Sequence, residues 1–542
     1  MPCLEKRTLW LAGLLAAALM PVMARAQVPA PGAGELPATG SFLERHFALD
    51  GYLRLRLDVL HQLDLDRGPT PTTGQPIFPL PAAGSGHTFT STNMRLRLDP
   101  TIRVGWGVSV HARFDVLDNL VLGSTPEGLP ATSSAPMSGA SAAQVPPEAG
   151  SNSDRASIRV KRAWGEVLLP IGILAGGRMG ALIDWGTGFF INSGNDIDAD
   201  LGDVGDRISF VMPLRELLIG FAFDFSASGP TSAAIRADAQ PFDLERRDDV
   251  RSYALLLTNY QLPEVVERYR RAGRLTLQYG AVAALRTQEI DVPAYYLTGD
   301  LGRSYNPRDF VRRDLLAFAG DLWLGLRYRG WTIDVEAATL FSRIANASLL
   351  PGTEFLQAIT ARQFGGVARV QHGWSRLRLG LELGFASGDD APGFGVRAPL
   401  SQLGAQAGDI DGPQVKIPGD TTVNNFRFSP DYHVDQILWR RIIGTVTDAF
   451  YVRPSASWEP LHYLTLDAAL ITSMAIEPGS APGGQRPLGV ELDLGVRFRI
   501  ERSCELSATY AVLAPLAGLR NLELGLDARP AQLFHLLLAY RL

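Results

Sequence analysis

The chain has 542 residues, 46% of them hydrophobic, a mean hydropathy of +0.04 and a formal net charge of −5. A helical membrane protein needs runs of about 20 apolar residues, and none follows the first thirty positions. No long basic run offers a nucleic-acid surface. Of the two cysteines only Cys504 lies beyond residue 26, so a chain cleaved there has no internal disulfide.

Lys6 and Arg7 precede an apolar stretch from Leu9 to Met23, and Ala24-Arg25-Ala26 forms an A-x-A cleavage signal. Residues 1–26 therefore read as a cleaved signal peptide, with Gln27 the first mature residue. Residues 27–48 read as a flexible periplasmic tether and residues 49–542 as a single barrel. Cys3 lies ahead of the apolar stretch, so it cannot carry a lipoprotein's lipid. Cleavage leaves 48 basic against 55 acidic residues, and 46 of the basic residues are arginine.

From residue 51 onward the dominant pattern is period-two alternation, the mark of strands with two different faces. Leu53, Leu55, Leu57 and Val59 fall on one face, and Arg54, Arg56 and Asp58 on the other. Val490 to Ile500 repeats this with Glu491, Asp493, Arg497 and Arg499. Strands are expected near 51–63, 92–99, 104–116, 157–169, 171–179, 205–212, 216–226, 249–260 and 273–286. Nine more follow near 316–328, 331–343, 362–372, 375–387, 447–458, 461–473, 488–500, 503–513 and 532–542. They are about twice the usual globular length and suit tilted membrane-spanning strands. Tight turns are read at Pro170, Pro213 to Arg215, Arg329-Gly330, Gly373-Trp374, Glu459-Pro460 and Glu501-Arg502, with a short helix at Gln261 to Ala272. The other connections are long, the largest from Gly388 to Val446, and 123–152 is Ser/Ala/Pro/Gly-rich. The fold class is all-β: a transmembrane antiparallel β-barrel of about 18 strands (16–18), with short periplasmic turns and long extracellular loops. The last strand carries Phe534, Leu536, Leu538, Tyr540 and Leu542 at alternate positions, a pattern suited to recognition by barrel-assembly machinery.

An arginine at the bilayer midplane on a barrel's outer face costs about 2–4 kcal/mol. Two per strand on several strands would exceed the roughly 5–15 kcal/mol net stability of a folded protein. The charged face is therefore expected to line the lumen: Arg54, Arg56, Arg95, Arg97, Arg113, Arg159, Arg327, Arg376, Arg378, Arg497 and Arg499, with Asp58, Asp99, Asp115, Asp334, Glu382, Glu491 and Asp493. They form either a charged permeation path or a structural Arg–carboxylate network. Trp106, Trp164, Trp331, Trp374 and Trp458 near strand ends are read as interface girdles.

Asp196, Asp198 and Asp200, with Asp203 and Asp206 behind them, have a spacing that can hold Ca²⁺. The EF-hand pattern is not met, because Leu201 stands at the glycine position and Arg207 at the twelfth, and a solvated acidic loop is the alternative. No other cofactor is indicated. Val434, Ile437, Leu438, Arg441 and Ile442 follow helical spacing, so Asp431 to Gly444 reads as a short helix, either constricting the pore or packed at the surface. No G-x-S-x-G, H-E-x-x-H or phosphate loop occurs, and the eight histidines are scattered. The leading reading is a non-enzymatic porin-like channel for small hydrophilic, anionic solutes or polysaccharide. A binding or structural barrel plugged by its own loops is the alternative, and an outer-membrane hydrolase the third. The expected partners are outer-membrane lipid and a hydrophilic solute. The oligomeric state is left open.

Asn93-Met94-Arg95-Leu96-Arg97-Leu98-Asp99-Pro100, Val116-Leu117-Asp118-Asn119, Gly177-Arg178-Met179, Trp185-Gly186-Thr187-Gly188, Pro430-Asp431-Tyr432-His433 and Leu538-Ala539-Tyr540-Arg541-Leu542 together resemble an outer-membrane barrel family found mainly in myxobacteria. The family carries no established activity, so the resemblance implies a barrel and no cargo. Cysteines occur in the family's acidic loop where Ile197 and Ala199 stand here. More distantly the chain is similar in architecture to alginate-export-type barrels.

Mass spectrometry of the protein recovered from an outer-membrane fraction should give Gln27 as the first residue. A chain still carrying Leu9 to Met23 would make that stretch an anchor.

Overall fold

The computed structural model describes residues 46–81, 86–105, 107–122, 156–231, 243, 245–293, 307–348, 358–394, 406–410, 412, 420–501 and 503–542. The signal peptide, most of the tether, Trp106 and the 123–152 loop lie outside them.

The strands follow in chain order. The first group is β1 (Phe47–His61), β2 (Thr88–Val104), β3 (Val108–Val121), β4 (Ile158–Leu169), β5 (Gly172–Gly180) and β6 (Val204–Leu214). Next come β7 (Leu217–Ser226), β8 (Val250–Thr258), β9 (Thr276–Asp291), β10 (Val311–Tyr328), β11 (Trp331–Ile344), β12 (Ile359–Trp374) and β13 (Leu377–Ala386). After the two-residue β14 (Thr422–Val423) the chain finishes with β15 (Ala449–Leu461), β16 (Leu464–Ala475), β17 (Pro487–Ile500), β18 (Cys504–Pro515) and β19 (Ala531–Arg541). Each wall strand pairs antiparallel with its neighbours, and β1 closes the ring by pairing with both β2 and β19. Only β14 pairs in parallel, beside β12 inside the long loop, so the wall has eighteen strands. Closure leaves no strand edge unpaired, which a sheet in lipid requires.

Alternation now has a physical address. In β1, Arg54, Arg56 and Asp58 are buried inward while Leu55, Leu57 and Val59 face out. The outer face continues around the ring with exposed Phe221, Leu255, Leu322, Val335, Leu381, Phe385, Leu492, Leu494, Phe498 and Phe534. Trp331, Trp374 and Trp458 lie exposed near the short-turn ends of β11, β12 and β15, where an aromatic girdle belongs. Trp164 does not join them. Its ring stacks on His111, 4.8 Å away, and its Nε1 donates to Glu166, so it faces the lumen. A closed barrel with an apolar outer surface, short turns at one end and long loops at the other is an outer-membrane protein.

Several turns shift from their expected places. Arg215, Arg329, Ser375 and Glu501 adopt left-handed φ of 58°, 50°, 40° and 54°, as short hairpin turns require. The β12–β13 turn is thus Ser375-Arg376, not Gly373-Trp374. Glu459-Pro460 lies within an irregularity of β15. Pro100 lies inside β2, opposite Leu49 and without a partner on β3, so proline there marks an irregularity rather than a strand end. Helix α1 (Pro263–Arg271) forms where expected, with proline at its start, Glu264 in its first turn and arginines in its last.

Replacing lipid-facing Leu494 with Arg should reduce stability by about 2–4 kcal/mol in urea unfolding from lipid vesicles, whereas Leu494→Met should leave it nearly unchanged.

Candidate functional site: a latched plug beside an open cavity

The lumen is divided. On the side of β1 to β3, the 181–203 loop folds inward and engages the arginine ladder. Arg54 donates to the Ile197 and Ala199 carbonyls, to Asn119 and to Asp200. Arg56 pairs with Asp198 at 3.2 Å and Asp200 at 3.0 Å. Arg95 joins Asp118 at 2.6 Å and Asp200 at 3.1 Å, and donates to the Ala199 carbonyl. Below them Arg97 grips Asp115 with two bonds and the Gly194 carbonyl with a third. Arg162, absent from the sequence reading, donates to the Ser193 and Ala181 carbonyls.

A second segment locks the first. Asp431 accepts the Asp200 and Leu201 amides, Arg440 pairs with Asp198 at 2.7 Å, and Arg441 pairs with Asp58 at 3.0 Å. The expected helix over 431–444 is a six-residue π-helix, Leu438–Ile443, and it lies inside the barrel rather than on its surface. Glu491 of the wall accepts the Gln436, Ile437 and Leu438 amides. Asp435 accepts those of Trp439 and Arg440, and the Ile442 and Gly444 amides reach back five residues. Phe189, Phe426, Phe428 and Tyr432 from both loops, with wall residue Tyr451, form an aromatic cluster with ring separations of 4.7–6.5 Å. Glu382 anchors it by accepting from Arg369, Tyr432 and Tyr451.

Burial pushes the Asp198 carboxyl up, but Arg440, His535 and Arg56 outweigh it and hold the group well below the usual carboxylate range. Asp200 is held low in the same way by Arg56, Arg54 and Arg95. Burial and the neighbouring Asp493 instead push Asp435 up to about 7.

On the opposite side, the inward faces of β5 to β10 enclose a cavity of about 1610 Å³, with α1 among its lining elements. Its walls alternate small or apolar residues, such as Ala254, Leu256, Val282, Ala284, Ala317 and Ala319, with a few polar ones. Seven carboxylate residues line it against five arginines. A smaller recess of about 420 Å³ is strongly polar, with Arg378, Arg453, Arg497 and Arg499 facing Asp467 and Asp493.

The expected lumen residues thus separate into groups. Arg54, Arg56, Arg95, Arg97 and Asp58 hold the plug. Arg113 pairs with Asp99, Arg327 with Asp334, and Arg369 with Glu382, as links within the wall. Arg159 is half exposed, 4.0 Å from Asp118. Arg376 is the correction: it sits in the turn, donating to the Pro460 carbonyl, because β12 runs two residues further than its sequence suggests. Asp196, Asp198 and Asp200 do not converge on a common point. Asp196 accepts the Asp198 amide and the other two face guanidinium groups, which take the place a cation would need. Asp321 and Glu336 were legible as single acids on an inward face among Ala317, Ala319 and Ala338. They went unread because the arginine ladders dominate the pattern.

Because Asp198 and Asp200 are held below their unfolded range near 4, their contribution is fully present above that range and is lost as pH falls beneath it. Asp200→Asn should cost about 3–5 kcal/mol, since it leaves three buried arginines short of a counter-charge. Thermal melts in detergent against pH check both: wild type should be flat with respect to these two groups above pH ~4 and fall below it, and the variant should start lower.

No family model matches the chain, and no curated protein does. Among solved structures it is similar to OpdK of Pseudomonas aeruginosa with vanillate (TM-score 0.43, 11% identity, 91% of this chain and 98% of that one). It is similar also to a BenF-like porin from Pseudomonas fluorescens (0.43, 10%, 91% and 98%) and to a loop-deleted OmpT of Vibrio cholerae (0.37, 9%, 92% and 99%).

Proposed function

We propose that the protein is a porin-like, substrate-selective channel for compact solutes, passing them beside a fixed plug. The observation that carries this reading is the cavity of about 1610 Å³ bounded by the wall, α1 and the 181–191 part of the inward loop. It exceeds the roughly 300–1,000 Å³ of an ordinary small-molecule site, so it can hold a solute together with water. An anionic cargo drawn by Arg54, Arg56, Arg95 and Arg97 loses support, because plug or wall carboxylates answer each of these charges. The cavity's apolar strips favour a molecule with an apolar body over a bare ion or a sugar polymer. A non-conducting binding barrel is the second reading, favoured by the aromatic cluster that knits both inward loops to the wall.

Refolded protein in planar bilayers should give small, discrete conductance steps, and replacing residues 182–202 with a short Gly/Ser link should enlarge them several-fold. Absence of steps from both proteins would establish the binding barrel instead.

A further inference from the structure

Asp321 on β10 and Glu336 on β11 are each 1% exposed on the lumen face. Glu336 lies opposite Trp323, two residues along from Asp321. Trp185, carried by the inward loop, meets Trp323 edge to face with ring centroids 6.3 Å apart. Asp321, Trp185 and Trp323 all line the large cavity. The Asp321 carboxyl lies beside both the Trp185 indole and the Glu336 carboxyl and interacts with each, but among the described residues neither Asp321 oxygen and neither indole Nε1 has a partner at full hydrogen-bond geometry. Glu336 Oε2 accepts the Thr187 amide and hydroxyl, while Oε1 is unpartnered. Arg369, the guanidinium that bears on Glu336, is already held by Glu382 and Tyr432 at 2.9 Å each.

Two buried acids without a cation are costly, and the surroundings look shaped rather than left over. A Cβ on Gly186 would lie 2.4 Å from Glu336 Oε2 and 2.8 Å from the Trp323 ring, and one on Gly280 would lie 2.4 Å from the Trp185 ring. Glycine at both positions lets the carboxylates and indoles close on one spot. Indole faces attract cations and carboxylates neutralise them, the pairing that recognises organic ammonium groups. A hard metal ion instead wants six or more oxygen ligands, and indole rings supply none.

We propose that Asp321, Glu336, Trp185 and Trp323 form a cation subsite that holds the ammonium end of an amphipathic solute, whose apolar body lies along Ala254, Leu256, Val282, Ala284, Ala317 and Ala319. The proposal rests on reading the cavity as a solute path, and it names the class of solute.

The test uses the refolded full-length mature barrel in detergent, with benzyltrimethylammonium as probe and benzyl alcohol and benzoate as its neutral and anionic counterparts. Calorimetry and tryptophan fluorescence read binding, and heat-dependent gel mobility confirms folding. The ammonium should bind about tenfold or more tightly than either counterpart, and Asp321→Asn and Glu336→Gln should each lose about tenfold, with Trp323→Phe losing less. Equal binding of benzyl alcohol, no binding of the ammonium, or unchanged affinity in a folded Asp321→Asn barrel would overturn the subsite, and the last result would mark the acids as a structural pair. If neither acid variant folds, the three-probe comparison on wild type decides. A barrel that conducts but ignores the ammonium overturns only the subsite. One that binds it and never conducts overturns only the channel.

Discussion

A guanidinium group on a membrane barrel cannot face lipid, and it cannot be buried in the lumen without a counter-charge. It must meet water or a carboxylate. On β1 and β2 the second solution is taken. Four arginines stand two residues apart on adjacent strands, too close to one another for mutual comfort, and the chain answers them with the carboxylates of its own 181–203 loop and of β3. That neutralisation draws the loop into the barrel. Arg440 and Arg441 of the π-helix then need Asp198 and Asp58, so the second loop follows the first. The aromatic cluster can dehydrate only because these charges are already paired.

The consequence is an asymmetric lumen. Side chains and loop fill one half, with Trp439, Ile437 and Leu438 fully buried. The other half keeps a cavity because β8 to β10 present small residues such as Ala254, Ala284, Ala317 and Ala319 inward. Charge on this side leans negative, the reverse of what the arginine-rich composition suggests. The conspicuous arginines of β1 and β2 act as fasteners for the inward loop.

The wall was legible in the sequence because a strand's two faces repeat every two residues, whatever its neighbours do. All eighteen wall strands fall close to the expected ranges, and the short-turn rhythm fixed their order. Turn positions slipped where proline sits inside a strand, as at Pro100 and Pro460, since local propensity marks a break that the closed ladder tolerates. A plug made of the chain's own loops was one of the readings, but which loop forms it and what holds it were not legible, for a different reason. The Asp196-x-Asp198-x-Asp200 spacing is equally consistent with a cation site, a solvated loop and an arginine latch. Only the three-dimensional meeting with Arg54, Arg56 and Arg95, over a hundred residues away, separates them. Asp431 to Gly444 gave the right apolar face and left its place open, because helical spacing does not say whether the apolar partner is a surface or the inside of a barrel; the structure puts it inside.

Hydrogen exchange on the protein in native lipid vesicles tests the central claim most directly, because a loop held inside the barrel and a loop held in water differ in backbone protection. Within residues 192–203 the Gly194, Ala199, Asp200, Leu201 and Asp203 amides all donate to protein acceptors. Peptides spanning this segment should exchange as slowly as those from β1 and β2, and Arg95→Ala should release them. Complete exchange within seconds in the wild-type barrel would instead place the acidic loop outside in solvent.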